Sequence, residues 1–193
     1  MEACNPITAI ILSGGKSSRM GTDKGLTLLN EKPMTQYAID LLSPLFCETL
    51  IIANDPSYGV FELPVYEDLL ADRGPLGGIY TGLTFSTTPW NFFIACDMPF
   101  MTTHVIEKLL MHMTDCDIVV AVHNQSPEPM CALYNKSCLT VVEKQLALEK
   151  YKLQDLYPLL RVKEVDFTQE FLSESNPFLN INTMEELLKL KKS

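Results

Sequence analysis

The chain has 193 residues, of which 47% are hydrophobic and 20% charged. A chain of this length can bury about 70% of its unfolded surface around one core without staples, and the composition excludes a disordered tail, a collagen-like fibre and a coiled coil. With 15 Lys and Arg against 24 Asp and Glu the net charge is -9, which argues against nucleic acid or an anionic membrane as a partner. Any phosphate must then be met by a local basic cluster or by backbone N–H groups.

No apolar run approaches the ~20 residues of a membrane span, and Met1–Pro6 has neither the charge nor the apolar stretch of a secretory signal. Cys4, Cys47, Cys96, Cys116, Cys131 and Cys138 are scattered without a C-x-x-C. Reduced thiols in a cytoplasm are the expectation, and zinc ligation lacks the ligand spacing it needs.

Strand and helix patterns alternate along the chain. Ile7–Leu12 is a continuous apolar run, as a strand buried on both faces requires. Met34, Tyr37, Ala38, Leu41, Leu42 and Leu45 recur at helical spacing, with Pro33 suited to the first turn. Leu50–Ala53 reads as the next buried strand, closed by the turn signal Asn54-Asp55-Pro56, and Val65-Tyr66 as a short strand running into Glu67-Asp68. Gly74-Pro75 opens a helix carrying Leu76, Ile79, Tyr80 and Leu83. Asn91–Cys96 is a strand stopped by Asp97-Met98-Pro99. Thr102 or Thr103 is placed to cap a helix containing Val105, Ile106, Leu109, Leu110 and Met113. Strands are expected at Asp117–Val122, Pro129–Tyr134 and Arg161–Val165, with a helix over Lys136–Leu148 and a last one over Met184–Leu190 capped by Asn182. The alternation predicts βαβ units, a mostly parallel sheet and a single domain. In such sheets ligands bind at the carboxyl ends of the strands.

The segment after the first strand reads Leu12-Ser13-Gly14-Gly15-Lys16-Ser17-Ser18-Arg19-Met20-Gly21-Thr22-Asp23-Lys24. A Walker A loop ending at Gly15-Lys16-Ser17 would need glycine where Ile10 stands. A G-x-G-x-x-G would need it at Lys16 or Ser17. Neither phosphate motif fits. What remains is a glycine pair, hydroxyls and three cations (Lys16, Arg19, Lys24) in one loop. Gly14 and Gly15 allow close backbone approach, and Arg19 and Lys24 supply charge for phosphate oxygens. In an acidic chain, at the position where α/β folds bind ligands, this reads as an anion site rather than a solvated loop.

Asp68 and Asp97 follow strands, where a carboxylate is costly unless paired or metal-bound. Either is suited to Mg²⁺, which takes one or two carboxylates together with substrate phosphates, or to a turn cap. Gly74-Pro75-Leu76-Gly77-Gly78 suits close approach of a ligand or tight packing. His104, His112 and His123 fall in no catalytic or metal pattern.

The first of these segments closely resembles L-A-G-G-x-S-x-R-M-G-x-D-K, the signature of the molybdenum cofactor guanylyltransferases within the nucleotidyltransferase superfamily. Ser13 stands for the usual Ala. Gly74–Gly78 is similar to the family's G-P-L-A-G, Cys96-Asp97-Met98-Pro99 to its C-D-x-P, and Asn180-Ile181-Asn182-Thr183-Met184-Glu185-Glu186-Leu187 to its N-x-N-T-P-E-E-L. The resemblance implies a three-layer α/β/α, Rossmann-like fold, with a nucleotide-binding half over about 1–100 and an acceptor-binding half over about 101–193. It implies backbone contacts from Leu12, Ser13 and Gly14 to guanosine, with Gly15 in the same loop, and phosphate binding by Arg19 and Lys24. Asn54 and Asp68 would contact the nucleotide and Asp97 would hold Mg²⁺. Gly74, Pro75, Leu76, Gly77 and Asn182 would lie by the acceptor.

The implied reaction transfers GMP from GTP to molybdopterin with release of diphosphate, catalysed by Arg19, Lys24 and Asp97. Partners would be GTP, molybdopterin and other proteins of molybdenum cofactor biosynthesis, with no nucleic acid and no membrane. The alternatives are a cytidylyltransferase or sugar-phosphate nucleotidylyltransferase of the same fold, favoured less because Leu12-Ser13-Gly14-Gly15 replaces L-A-A-G, and a non-catalytic nucleotide-binding module.

Overall fold

The computed structural model describes residues 5–13, 23–171, 176–183 and 185–186. Nine strands and four α-helices follow in chain order: β1 (Asn5–Leu12), β2 (Leu28–Leu29), β3 (Lys32–Pro33), α1 (Met34–Leu42), β4 (Phe46–Ile52), β5 (Val65–Tyr66), α2 (Gly74–Phe85), β6 (Trp90–Ala95), α3 (Thr103–Leu110), β7 (Ile118–His123), β8 (Ser126–Asn135), α4 (Leu139–Ala147) and β9 (Val162–Asp166). The strands expected from the apolar runs are all present, with bounds shifted by a few residues. The β2–β3 hairpin and a 3-10 turn at Pro56–Phe61 carry too few residues to show a period.

Seven strands form one sheet in the order β5-β4-β1-β6-β8-β7-β9. β8 is antiparallel to both β6 and β7, and the remaining pairings are parallel. Successive residues of each central strand feed opposite faces. Ala9 and Ile11 of β1 join Phe92 and Ile94 of β6 and the apolar stripes of α1 (Ala38, Ile39, Leu42) and α3 (Val105, Ile106, Leu109). Ile10 and Leu12 join Phe93, Leu76, Ile79 and Leu83 of α2, and Val142 and Leu146 of α4. The result is the three-layer α/β/α arrangement, and it explains why β1 ends in the apolar run Ala9–Leu12.

Several local expectations change. Thr102 precedes α3 but makes no side-chain cap bond, and its Oγ1 is buried without a partner among the described residues. Thr183, not Asn182, caps the last helical turn. Its Oγ1 accepts from the Glu186 N–H at 3.2 Å, and Glu186 Oε2 accepts from the N–H groups of Thr183 and Asn182 at 3.1 and 2.7 Å, a capping box. The body of the expected helix beyond Glu186 lies outside the described residues.

The expectation of reduced thiols fails at Cys47, which is disulfide-bonded. It projects outward from β4, whereas the buried Cys96, Cys116, Cys131 and Cys138 are free. Packing encloses those four and leaves Cys47 accessible. Among the described residues no helix is long and apolar enough to cross a membrane.

Candidate functional site

The parallel strands β5, β4, β1 and β6 all end at one rim of the sheet. The ladder continues briefly past their ends: Ser13 N donates to Ile52 O at 2.9 Å, Ala53 N to Tyr66 O at 3.0 Å, and Cys96 N to Leu12 O at 3.1 Å. Asn54, Asp68 and Asp97 each stand two residues beyond a strand end. They open into a cleft of about 1070 Å³ to which Leu12, Lys24 and Gly74 also contribute.

Lys24 is the hub. Its Nζ donates to Asp97 Oδ2 at 2.9 Å and to Asn182 Oδ1 at 2.6 Å. Three distant parts of the sequence thus meet on one ammonium. Ile181 brings the last of them in: its N–H donates to Asp97 O at 2.9 Å, and its fully buried side chain packs with Leu29 and Met34. The neighbouring Asn182 is turned back toward Lys24.

A buried polar network lies behind Lys24. Asp23 Oδ1 accepts from the Gly25 N–H at 2.9 Å and from the Tyr58 hydroxyl. Thr35 N donates to Gly25 O at 3.0 Å, and Thr35 Oγ1 lies 3.2 Å from Ser13 Oγ. A Cβ on Gly25 would stand 2.2 Å from Tyr58 Oη and 2.4 Å from Thr35 Oγ1, so only glycine fits there. Burial, first of all, pushes the Tyr58 phenol well above its ordinary value, keeping it a neutral donor. Nothing in the spacing of the sequence singles out Tyr58 or Thr35, because their partners are Asp23 and Ser13 on other elements.

Asn54 and Asp68 form a reciprocal pair. Asn54 Nδ2 donates to Asp68 Oδ2 at 3.2 Å and Asn54 Oδ1 accepts from Asp68 N at 2.8 Å. Asp68 Oδ1 is buried with no partner among the described residues. Burial raises the Asp68 carboxyl above its usual value, partly offset by the Asn54 amide. Cys96 is a packing residue: burial, followed by the charge of Asp97, pushes its thiol up to about 12.

The structure thus brings Lys24, Asp97 and Asn182 into contact and puts Leu12, Asn54, Asp68, Gly74 and Pro75 on the same cleft. Gly14, Gly15 and Arg19 lie outside the described residues. Two expectations are corrected. Leu76 is wholly buried in the core, and Gly77 packs against Arg73 and Leu70. A helix of 3.6 residues per turn turns both away when Gly74, Pro75 and Gly78 face the cleft. The Ser13 N–H is spent on Ile52 O and its hydroxyl faces Thr35, so a backbone contact from Ser13 would be made through its carbonyl. Arg73, Glu128, Met130 and Asn180 line the cleft as well, although the sequence reading gave them no role.

Residues 9–165 match the family described as MobA-like NTP transferase domain. A relative from Carboxydothermus hydrogenoformans, named "Probable molybdenum cofactor guanylyltransferase", is 37% identical over 188 residues, covering 96% of this chain and 95% of its own. The molybdenum cofactor guanylyltransferase of Vibrio parahaemolyticus is 38% identical over 183 residues, covering 92% and 91%. Among solved structures, molybdopterin-guanine dinucleotide biosynthesis protein A of Archaeoglobus fulgidus superposes with a TM-score of 0.78 at 24% identity, covering 96% of this chain and 97% of that one. With the match running from the first strand to the last, this chain belongs to the MobA-like NTP transferase family.

Proposed function

We propose that this protein is a guanylyltransferase that moves GMP from GTP to the terminal phosphate of molybdopterin and releases diphosphate. The observation that carries the reading is the meeting of Lys24, Asp97 and Asn182 at the carboxyl rim of the sheet, where Lys24 and Asp97 line a cleft of about 1070 Å³. The names of the relatives support the same reaction.

Both reactants are anions, so the chain must lower their mutual repulsion. Lys24 supplies a mobile positive charge beside Asp97, and Arg19, from the same signature, is assigned a second one. Asn182 fixes where the Lys24 ammonium stands. Asn54 and Asp68 hold the nucleotide, with Leu12 against it from the strand end. Gly14 and Gly15 contribute backbone N–H groups, and Gly74 and Pro75 face the acceptor. The attacking phosphate oxygen is already ionised at neutral pH, so no side chain need take its proton before it attacks the α-phosphorus in line.

The residues also suit Mg²⁺. Asp97 uses only Oδ2 on Lys24, leaving its other oxygen without a hydrogen bond to a described residue, and Asp68 Oδ1 is an orphaned buried oxygen. Mg²⁺ takes one or two carboxylates together with waters and substrate phosphates. When bound, Mg²⁺ would neutralise charge on the phosphates. We assign Asp97 as its protein ligand.

The chain is read as one domain, with the nucleotide half over about 1–100 and the acceptor half over about 101–193, acting in the cytoplasm with other proteins of molybdenum cofactor biosynthesis. The test is diphosphate release with molybdopterin and Mg²⁺, comparing GTP with CTP. Turnover with GTP alone is expected. Preference for CTP would make the protein a cytidylyltransferase, and no release with either would leave a nucleotide-binding module.

A further inference from the structure

β8 carries an irregularity where it meets the cleft. Val120 of β7 pairs with Ala132, yet the next residue, Ala121, pairs with Glu128. Pro129, Met130 and Cys131 therefore have no partner on β7, and the strand bends locally, as bulges beside active sites do. The excursion is pinned from within by the Tyr134 hydroxyl, which donates to Pro129 O at 2.9 Å. β6 follows β8 only as far as Ile94 opposite Cys131. Residues 128–130 thus extend past the carboxyl end of β6, and Glu128 and Met130, two apart, both line the cleft.

Four other carboxylates of this cleft each hold at least one partner through a side-chain oxygen, although Asp68 Oδ1 itself stays unpartnered among the described residues. Asp97 holds Lys24, Asp68 holds Asn54, Asp23 holds Gly25 and Tyr58, and Asp55 caps Ser57. Glu128 is half-buried, and its carboxylate has no hydrogen bond to a described residue. Burial alone pushes its carboxyl above the usual range, with no cation to oppose it. A desolvated carboxylate lacking donors is costly until a ligand brings them. A phosphate cannot do so, being an anion. A heterocycle edge with adjacent N–H groups can, through paired charge-assisted hydrogen bonds.

Sheet order decides which heterocycle. Asn54 and Asp68 follow β4 and β5, on one side of β6 and its Asp97, whereas β8 lies on the other. The base of GTP belongs with the first group, and the second faces the acceptor. We propose that the Glu128 carboxylate reads the 2-amino-4-oxo edge of the acceptor's pterin ring, with Met130 against the ring beside it. This assignment rests on the guanylyl-transfer reading for the identity of the acceptor.

The test uses the full chain and two probes, pterin and lumazine, followed by their own fluorescence. Lumazine carries a 2-oxo group in place of the 2-amino donors. The wild-type chain is expected to bind pterin more tightly than lumazine by about tenfold or more, the worth of one charge-assisted hydrogen bond. Glu128→Gln, an isosteric change, should reduce that preference to within about twofold of none while retaining thermal stabilisation by GTP and Mg²⁺. Equal binding of the two probes by the wild-type chain, no binding of either, or a preference that survives in Glu128→Gln would overturn the proposal. So would a loss of GTP stabilisation in a folded Glu128→Gln, which would put this carboxylate on the base of GTP. Transfer plays no part in the readout. A chain that sorts pterin from lumazine but fails to move GMP would keep this assignment and lose the proposed reaction.

Discussion

Lys24 Nζ lies 2.9 Å from Asp97 Oδ2 across a sequence separation of 73 residues. The pair is partly open to solvent, with side-chain exposures of 26% and 17%, so it contributes little to stability. Its consequence is positional. A positive and a negative group are held together at the rim where phosphates must be bound, and each has a capacity to spare for a ligand.

Lys24→Ala should lower guanylyl transfer on the order of 10²-fold, the typical loss of one preorganised charge-stabilising contact. The melting temperature should move little, because only a partly exposed ion pair is removed. Steady-state rates with GTP and molybdopterin check this, and an unchanged rate would remove Lys24 from the machinery.

Asp97→Ala should abolish Mg²⁺-dependent transfer and leave the fold intact. The segment keeps its main-chain tie, since Ile181 N donates to the Asp97 carbonyl rather than to its side chain. Titrating Mg²⁺ against diphosphate release, beside a far-ultraviolet circular dichroism spectrum, separates the two effects. Substantial residual turnover at saturating Mg²⁺ would count against the assignment.

Tyr58→Phe removes the hydroxyl that reaches Asp23 while keeping the ring. It should cost about 1–2 kcal/mol in denaturant unfolding, as loss of one partner of a buried charged hydrogen bond does, and it should slow transfer through the adjoining Lys24. Gly25→Ala should cost about as much or more, because its Cβ would stand 2.2 Å from Tyr58 Oη and overpacking is penalised by about 1–3 kcal/mol. If either variant unfolds at the wild-type midpoint, Asp23 is held by other means.

Asp68→Asn should raise thermal stability near neutral pH and weaken GTP binding. Burial raises the Asp68 carboxyl above its usual value, with Asn54 acting in the opposite sense. The fold therefore favours the protonated form. That contribution is fully present below the ordinary carboxylate pKa of about 4 and is lost as pH rises through the raised value. Replacing the acid with an amide removes the neutral-pH cost, so the gain in melting temperature should shrink as the pH is lowered toward 4. A gain of constant size across that range would sink the burial argument.

Much of the architecture was legible because it depends on periods along the chain. β1 from Ala9 to Leu12 and β6 from Phe92 to Ala95 are apolar runs because both faces are covered by helices, while Thr8 and Asn91 are polar but fully buried. α1 and α3 show stripes because one side meets the sheet. The rim position of Asp68 and Asp97 followed from strands that stop just before them. Asn182 and Thr183 are both good cap residue types, and Lys24 occupying the Asn182 side chain leaves the cap to Thr183.

Local apolar spacing and contiguous motifs were enough for the alternation of strands and helices, the strand ends and the family signature. Contacts across the fold settled that Lys24 meets Asn182, that Tyr58 and Thr35 brace the turn behind it, and that Leu76 faces the core. Each of these depends on contacts between residues far apart in the chain. Such contacts are set by how the strands order themselves in the sheet, which no local period encodes.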